Sequence, residues 1–148
     1  MSAKTLEDYR VVLGDWATCG SAASEVRHEV FVQEQHVAPE EEMDDRDAVC
    51  MHAVVYTHDG VPIATGRLLP DGHIGRMAVR RPFRGQGIGS LVLTALIDEA
   101  RRHGHLEVAL AAQVHAKRFY ATHGFIAEGT VFLDAGIDHV TMRRVLTA

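Results

Sequence analysis

The stretch from Ile74 to Gly104, IGRMAVRRPFRGQGIGSLVLTALIDEARRHG, leaves the chain few folds to choose from. It reads as a strand, a glycine-rich turn and an amphipathic helix. Ile74–Arg80 is short and partly β-branched, and Pro82 ends any ladder there because it has no N–H to donate. From Ile88 the apolar residues recur as Ile88, Leu91, Val92, Ala95 and Leu96, the spacing of one helix face, with Ser90, Thr94, Asp98 and Arg101 opposite. Gly104 stands at the C-cap position behind Arg101, Arg102 and His103. Between strand and helix lies Arg84-Gly85-Gln86-Gly87-Ile88-Gly89. Glycines there bare the backbone where it enters a helix N-terminus. The N–H groups have no intrahelical partner and the helix dipole adds partial positive charge, so the turn is a candidate phosphate site. Arg84, with Arg80 and Arg81, can add charge-assisted bonds. The alternative is that the glycines serve the turn alone.

The spacing excludes two phosphate loops. The third glycine falls one position early for G-x-G-x-x-G, and G-x-x-x-x-G-K-[ST] is absent. Arg84–Gly89 instead fits [RQ]-x-x-G-x-[GA], and in this it resembles the pyrophosphate motif of the GCN5-related N-acetyltransferases. Ala116-Lys117-Arg118-Phe119-Tyr120-Ala121-Thr122-His123-Gly124-Phe125 is similar to the A-x-x-F-Y-x-x-x-G-F element of the same family. The segments V-R-H-E-V-F-V-Q-E-Q and G-I-D-H-V-T-M resemble its ElaA-like bacterial subgroup. The resemblance implies an α/β fold: a mixed, mostly antiparallel sheet of six or seven strands, splayed between strands 4 and 5 and flanked by about four helices. It implies acetyl-CoA as co-substrate. Cofactor contacts then fall on the backbone of Met77, Ala78 and Val79, on the backbone of Arg84, Gly85, Gln86, Gly87, Ile88, Gly89 and Ser90 with Arg84 at the mouth of the turn, and on Tyr120.

The remaining chain supplies elements in an order that agrees. Tyr9–Trp16 reads as a strand, and Ala17–Gln35 as helical in two pieces broken near Gly20 and Ser21. Met51–Tyr56, Ile63–Leu69 and Leu106–Gln113 read as strands. The passage 74–113 is long enough for a right-handed parallel crossover. His115–His123 reads as a short helix, and Phe125–Leu133 with His139–Val145 as a closing hairpin. At 148 residues one domain is expected.

Charge and composition exclude several classes. A formal net charge of −5 argues against a nucleic-acid partner and suits a cationic substrate. No run of 18 apolar residues is present, so no membrane span is expected, and MSAKTLEDYR lacks a signal-peptide core. Cys19 and Cys50 form no C-x-x-C, which predicts reduced thiols and a cytoplasmic protein. The oligomeric state, monomer or homodimer, is left open by the sequence. His103 and His105 straddle a helix end and no H-E-x-x-H occurs, so no metal is expected.

An acetyl transfer to an amine needs a donor for the leaving thiolate and an acceptor for the amine's proton. Tyr120 is the candidate catalytic acid; its alternative is a core-edge aromatic. For the base the candidates are Glu34, Glu42, Asp44, His73 and His139, or a water chain. Strand Ile74–Arg80 lacks the glutamate that many relatives carry. The substrate, a primary amine of a small molecule or peptide, would meet Glu34, Glu42, Asp44, Asp47 and His139. The acidic segment Glu40–Asp47 admits three readings: a lid with Glu42, Asp44 and Asp47 facing a cleft, a clamp in which Asp44 or Asp47 pairs with Arg27, or a solvated loop. Arg27-x-x-x-Phe31 and Glu42-x-Asp44-x-x-Asp47 also resemble elements of acyl-homoserine-lactone synthases, a second acyltransferase reading. A CoA-binding sensor on the same fold is a third.

Overall fold

The computed structural model describes residues 8–146. Residues 1–7, in the stretch read above as lacking a signal-peptide core, and residues 147–148 lie outside the described residues. Seven strands form one sheet in the order β1-β2-β3-β4-β5-β7-β6. They are β1 Tyr9–Gly14, β2 Met51–Thr57, β3 Pro62–Leu68, β4 His73–Val79, β5 Glu107–Gln113, β6 Ile126–Asp134 and β7 Ile137–Val145. The helices are α1 Trp16–Arg27, the single turn α2 Pro39–Glu42, α3 Ile88–Arg102 and α4 Lys117–Thr122. Among the described residues no helix is long and apolar enough to cross a membrane.

Strand β2 shows how the apolar pattern sets the layers. Its side chains alternate across the sheet. Ala53 and Val55 join Val92, Leu93 and Leu96 of α3 in the main core. Val54 and Tyr56 pack with Cys19, Ala23 and Trp16 of α1 on the opposite face. Both faces are covered, which is why MHAVVY is a nearly continuous apolar run. Helix α3 buries Ile88, Val92, Leu93, Leu96 and Ile97 at 2% exposure or less. Each such side chain contributes about 1.5–3 kcal/mol of transfer free energy.

The expected break near Gly20 and Ser21 is corrected: α1 runs unbroken to Arg27. Gly20 is there to make room, since a Cβ would lie 2.9 Å from the Trp16 ring. The change of winding comes later, at His28–Glu34, a π-helical segment in which Gln35 N–H donates to Val30 C=O. Loop 36–50 holds two short turns, α2 and a 3₁₀ turn at Asp47–Val49.

The sheet opens where the resemblance implied. β1 to β4 are antiparallel neighbours, but β4 pairs with β5 in parallel, at His73↔Ala109 and Ile74↔Leu110 alone. Beyond Ile74 the two strands part. β4 is also irregular: Thr65 faces Ala78 but Arg67 faces Gly75, so β4 carries an extra residue there. Arg76 takes φ +50°, a left-handed conformation that costs a non-glycine residue about 1 kcal/mol or more. Such a bulge twists the strand and unpairs backbone groups next to the opening.

Candidate active site

The parting of β4 from β5 creates a cleft of 910 Å³. Its lining comes from β4 (Gly75–Val79), β5 (Leu110, Ala111, Gln113), the π segment (Val30, Phe31, Glu34), the glycine turn and the first turn of α3, α4 (Phe119, Tyr120) and β7 (Ile137, His139).

The glycine turn has the geometry an anion needs. Gly85 and Gly87 take φ +77° and +83°, which a side chain would make costly. Gly87 is the N-cap of α3 and supplies no side-chain cap, so the first N–H groups of the helix are left for other partners. Gly89 is close-packed: a Cβ would stand 3.3 Å from Phe119 Cζ, with Val79 behind it. Gly85, Gly87, Ile88, Gly89 and Ser90 all line the cleft. Gln86 does not. Its side chain accepts from Tyr9 Oη at 3.0 Å and reaches back to Pro82 C=O, fixing the turn to β1. The pyrophosphate expectation concerns the Gln86 backbone, within Arg84–Ser90, and not this side chain.

The arginines behave unequally. Arg84 donates from Nε to Val79 C=O at 2.8 Å and forms a two-pronged pair with Glu34, both bonds 2.7 Å. The hydrogen bond from Arg84 holds the Glu34 carboxyl below its ordinary range. Arg81 stands 3.3 Å from the same carboxylate and is exposed. Arg80 turns away, donating to Glu29 at 2.8 Å.

On β4, Met77 fits over Gly66, where a Cβ would come within 2.6 Å of its sulfur. Ala78 is buried against Val26, Val30 and Phe31. Opposite, Tyr120 is 8% exposed, and burial pushes its phenol up to about 12, so the hydroxyl keeps its proton at neutral pH. His139 is buried on β7 and lines the cleft. Its Nδ1 lies 2.7 Å from Ile137 C=O. A carbonyl can only accept, so Nδ1 carries a proton, and in the neutral ring Nε2 is the acceptor. Gln35 and Gln113 exchange amide hydrogen bonds of 3.3 and 2.9 Å between the π segment and β5.

The acidic segment is mostly a clamp. Arg27, 1% exposed, bonds Glu42 through Nε and Asp47 through both terminal nitrogens, at 2.8 and 3.1 Å. Arg67 bonds Asp47 at 2.8 Å and Asp44 at 2.8 and 2.7 Å, and Arg76 reaches Asp44 at 3.3 Å. Trp16 covers Arg27 with its ring 5.5 Å from the guanidinium carbon, and His52 Nε2 lies 2.9 Å from Asp47 C=O. The lid reading is corrected for Asp44 and Asp47, which do not line the cleft and are spent on arginines. Glu42 lines it, but its carboxylate is taken by Arg27. Burial pushes the Asp47 carboxyl up, and the bonds from Arg27 and Arg67 overcome this and hold it low. Hydrogen bonds from Arg67 hold Asp44 well below the usual carboxylate range. Arg67 and Arg76 were not singled out from the sequence. A signal existed: a charged residue inside the apolar strand IATGRLL must find partners, and six carboxylates lie in 40–47.

Of the other base candidates, His73 is exposed, pairs with Asp71 at 3.1 Å and stands outside the cleft. Both cysteines are free, buried and outside it. Among the described residues no group of three His, Cys, Asp or Glu side chains is placed to hold a metal.

Comparison with known proteins gives this geometry a family. Residues 19–146 match the acetyltransferase (GNAT) domain. The chain is 38% identical over 123 residues to the uncharacterized N-acetyltransferase YjcF of Bacillus subtilis, covering 80% of this chain and 87% of that one. An acyl-CoA N-acyltransferase from Pseudomonas aeruginosa superposes with a TM-score of 0.80 at 31% identity, covering 93% and 99%. Escherichia coli ElaA superposes with a TM-score of 0.81 at 26% identity, covering 92% and 99%. The chain therefore belongs to the GNAT acetyltransferase family and is an acyltransferase.

Proposed function

We propose that the protein transfers an acetyl group from acetyl-CoA to a primary amine of a small molecule or peptide, by direct attack while both are bound. The observation that carries the reading is one continuous cleft lined by the glycine turn, by Tyr120 and by His139. The residues fit the cofactor: the turn bares N–H groups for a pyrophosphate, and β4 beyond Ile74 has backbone free on its β5 side for an extended arm. When bound, acetyl-CoA supplies an acyl carbon activated by its thioester.

The chain's own groups do the rest. N–H groups at the start of α3 hold the phosphates, and Arg81 and Arg84 lie beside them. Backbone of Met77 and Ala78 aligns the arm. Tyr120, protonated at neutral pH, donates to the leaving sulfur. His139 Nε2 accepts the proton of the attacking amine, since Glu34 and Glu42 are already engaged by arginines. With no cysteine lining the cleft, direct attack is favoured over a cysteine-bound acyl intermediate. Glu41 and Asp134, exposed at the cleft, add the negative charge that draws in a protonated amine.

The test is release of free thiol from acetyl-CoA against polyamines, amino acids, aminoglycosides and short peptides. Release with one amine class supports the reading. Turnover with S-adenosylmethionine and acylated carrier protein would replace it with lactone synthesis, and binding without release on any amine with a sensor. Against the accepted amine, Tyr120→Phe and His139→Gln should each lower kcat by about ten- to a thousandfold. Unchanged kcat in either variant, with chemistry limiting, would remove that residue from its role.

A further inference from the structure

Ser90 stands at the third position of α3 and lines the cleft at the glycine turn. Its Oγ is 2.8 Å from Nε2 of His123, the residue that closes α4. Nothing in the transfer chemistry above uses His123. The ring is held by Phe119 of α4, 5.1 Å between centroids. The charged group that bears on it is Arg144 of β7, whose side chain packs on Gly124. Ser90 is its partner from α3. Burial, then the charge of Arg144, pulls the imidazole below its ordinary value, so the free protein holds it neutral at pH 7.

We infer that His123 is a positioning residue for the cofactor: it orients the Ser90 hydroxyl toward a phosphate oxygen and takes up a proton when the phosphate arrives. This rests on the cofactor reading above. A phosphate oxygen only accepts, so the Ser90 hydrogen must turn to it, and His123 must then donate to Ser90 Oγ through Nε2–H. Adding a bond of about 2.7 Å from Oγ to phosphate leaves the imidazole within about 5–6 Å of the negative charge. An opposite charge at that range favours the charged ring. The ring's protonation constant is thus higher in the complex than in the free protein. Affinity is full below the free value, falls as pH rises between the two values, and levels off above the bound one.

Calorimetry of acetyl-CoA binding to the intact chain, from roughly pH 5.5 to roughly pH 8 and in buffers of different ionisation enthalpy, tests this. The 3′-phosphate of the cofactor titrates near pH 6, so the readout is the difference between wild type and His123→Gln. Glutamine can donate to Ser90 and cannot titrate. Wild type should take up a fraction of a proton that the variant does not, and the ratio of their affinities should change by about three- to tenfold across the range. Ser90→Ala, which cuts the bridge and leaves the helix intact, should lose the same uptake, and it serves if His123→Gln does not fold. Equal proton uptake in wild type and in either folded variant would overturn the inference. Absence of acetyl-CoA binding to wild type at any pH would instead overturn the cofactor reading on which it stands.

Discussion

Two arginine–carboxylate assemblies flank the cleft, and they do opposite things. Arg27, Arg67, Glu42 and Asp47 form one, each 5% exposed or less, with Arg76 and Asp44 at its edge. Glu34, Arg84 and Arg81 form the other, with side chains 23%, 39% and 74% exposed. The residue types are the same. Burial separates them. In the first, removing one partner strands a charge away from water, so the assembly behaves as a fixed joint between α1, β3, β4 and loop 36–50. In the second, water and salt can replace either partner, so the pair is exchangeable.

The sharpest way to break this contrast is Asp47→Ala. It leaves Arg27 and Arg67 short of a counter-charge, and global stability should fall by about 3–5 kcal/mol, read from urea denaturation. Kinetics of the folded fraction should be normal. A loss below about 1 kcal/mol would place Asp47 with the surface pairs.

Next in size is the response to acid. Asp44 and Asp47 have folded values depressed below the unfolded ones. Their contribution is present above about pH 4–5 and is lost as pH falls through the folded values. His52 is also held down, chiefly by burial, so it withdraws stability as pH falls from about 6.5. Stability measured by urea should therefore decline from pH 7 to pH 4, and the decline below about pH 5 should be shallower in Asp47→Ala. Parallel slopes in the two proteins would contradict the clamp.

The smallest effect belongs to Glu34→Gln. It frees Arg84 and Arg81, and acetyl-CoA affinity should rise by up to about fivefold at low salt and by less in high salt, with stability unchanged within about 0.5 kcal/mol. Weaker binding would show that Glu34 organises the phosphate site rather than competing for it.

The same contrast explains what the sequence discloses. The glycine turn was legible because left-handed residues such as Gly85 and Gly87 leave a composition mark in a short window. The opening between β4 and β5 was implied by the family resemblance that the turn and the Phe-Tyr element carry, and Tyr120 lines the cleft it makes. The two assemblies could not be told apart, because burial is a property of the fold. Asp47 meets Arg67 across 20 residues, and Arg84 meets Glu34 across 50. The pairing of Asp47 with Arg27 was one of three open readings; Asp44 was expected at the cleft and is held by Arg67 instead. The π winding of His28–Glu34 leaves no mark in VRHEVFVQEQ, whose apolar spacing reads as an ordinary helix. Ser90 and His123 lie 33 residues apart, and neither type is unusual where it stands.

The central claim is that the glycine turn and the parted strands hold acetyl-CoA. The most direct measurement is calorimetric titration of acetyl-CoA into wild type and Gly89→Val. Gly89 has no left-handed φ, so the backbone accepts a side chain, yet its Cβ would press on Phe119 at 3.3 Å and fill the cleft floor beside Val79. Binding to wild type, with affinity lowered at least about tenfold in a variant whose thermal melt shows it folded, is the expected result. Equal affinities in two folded proteins would contradict the claim.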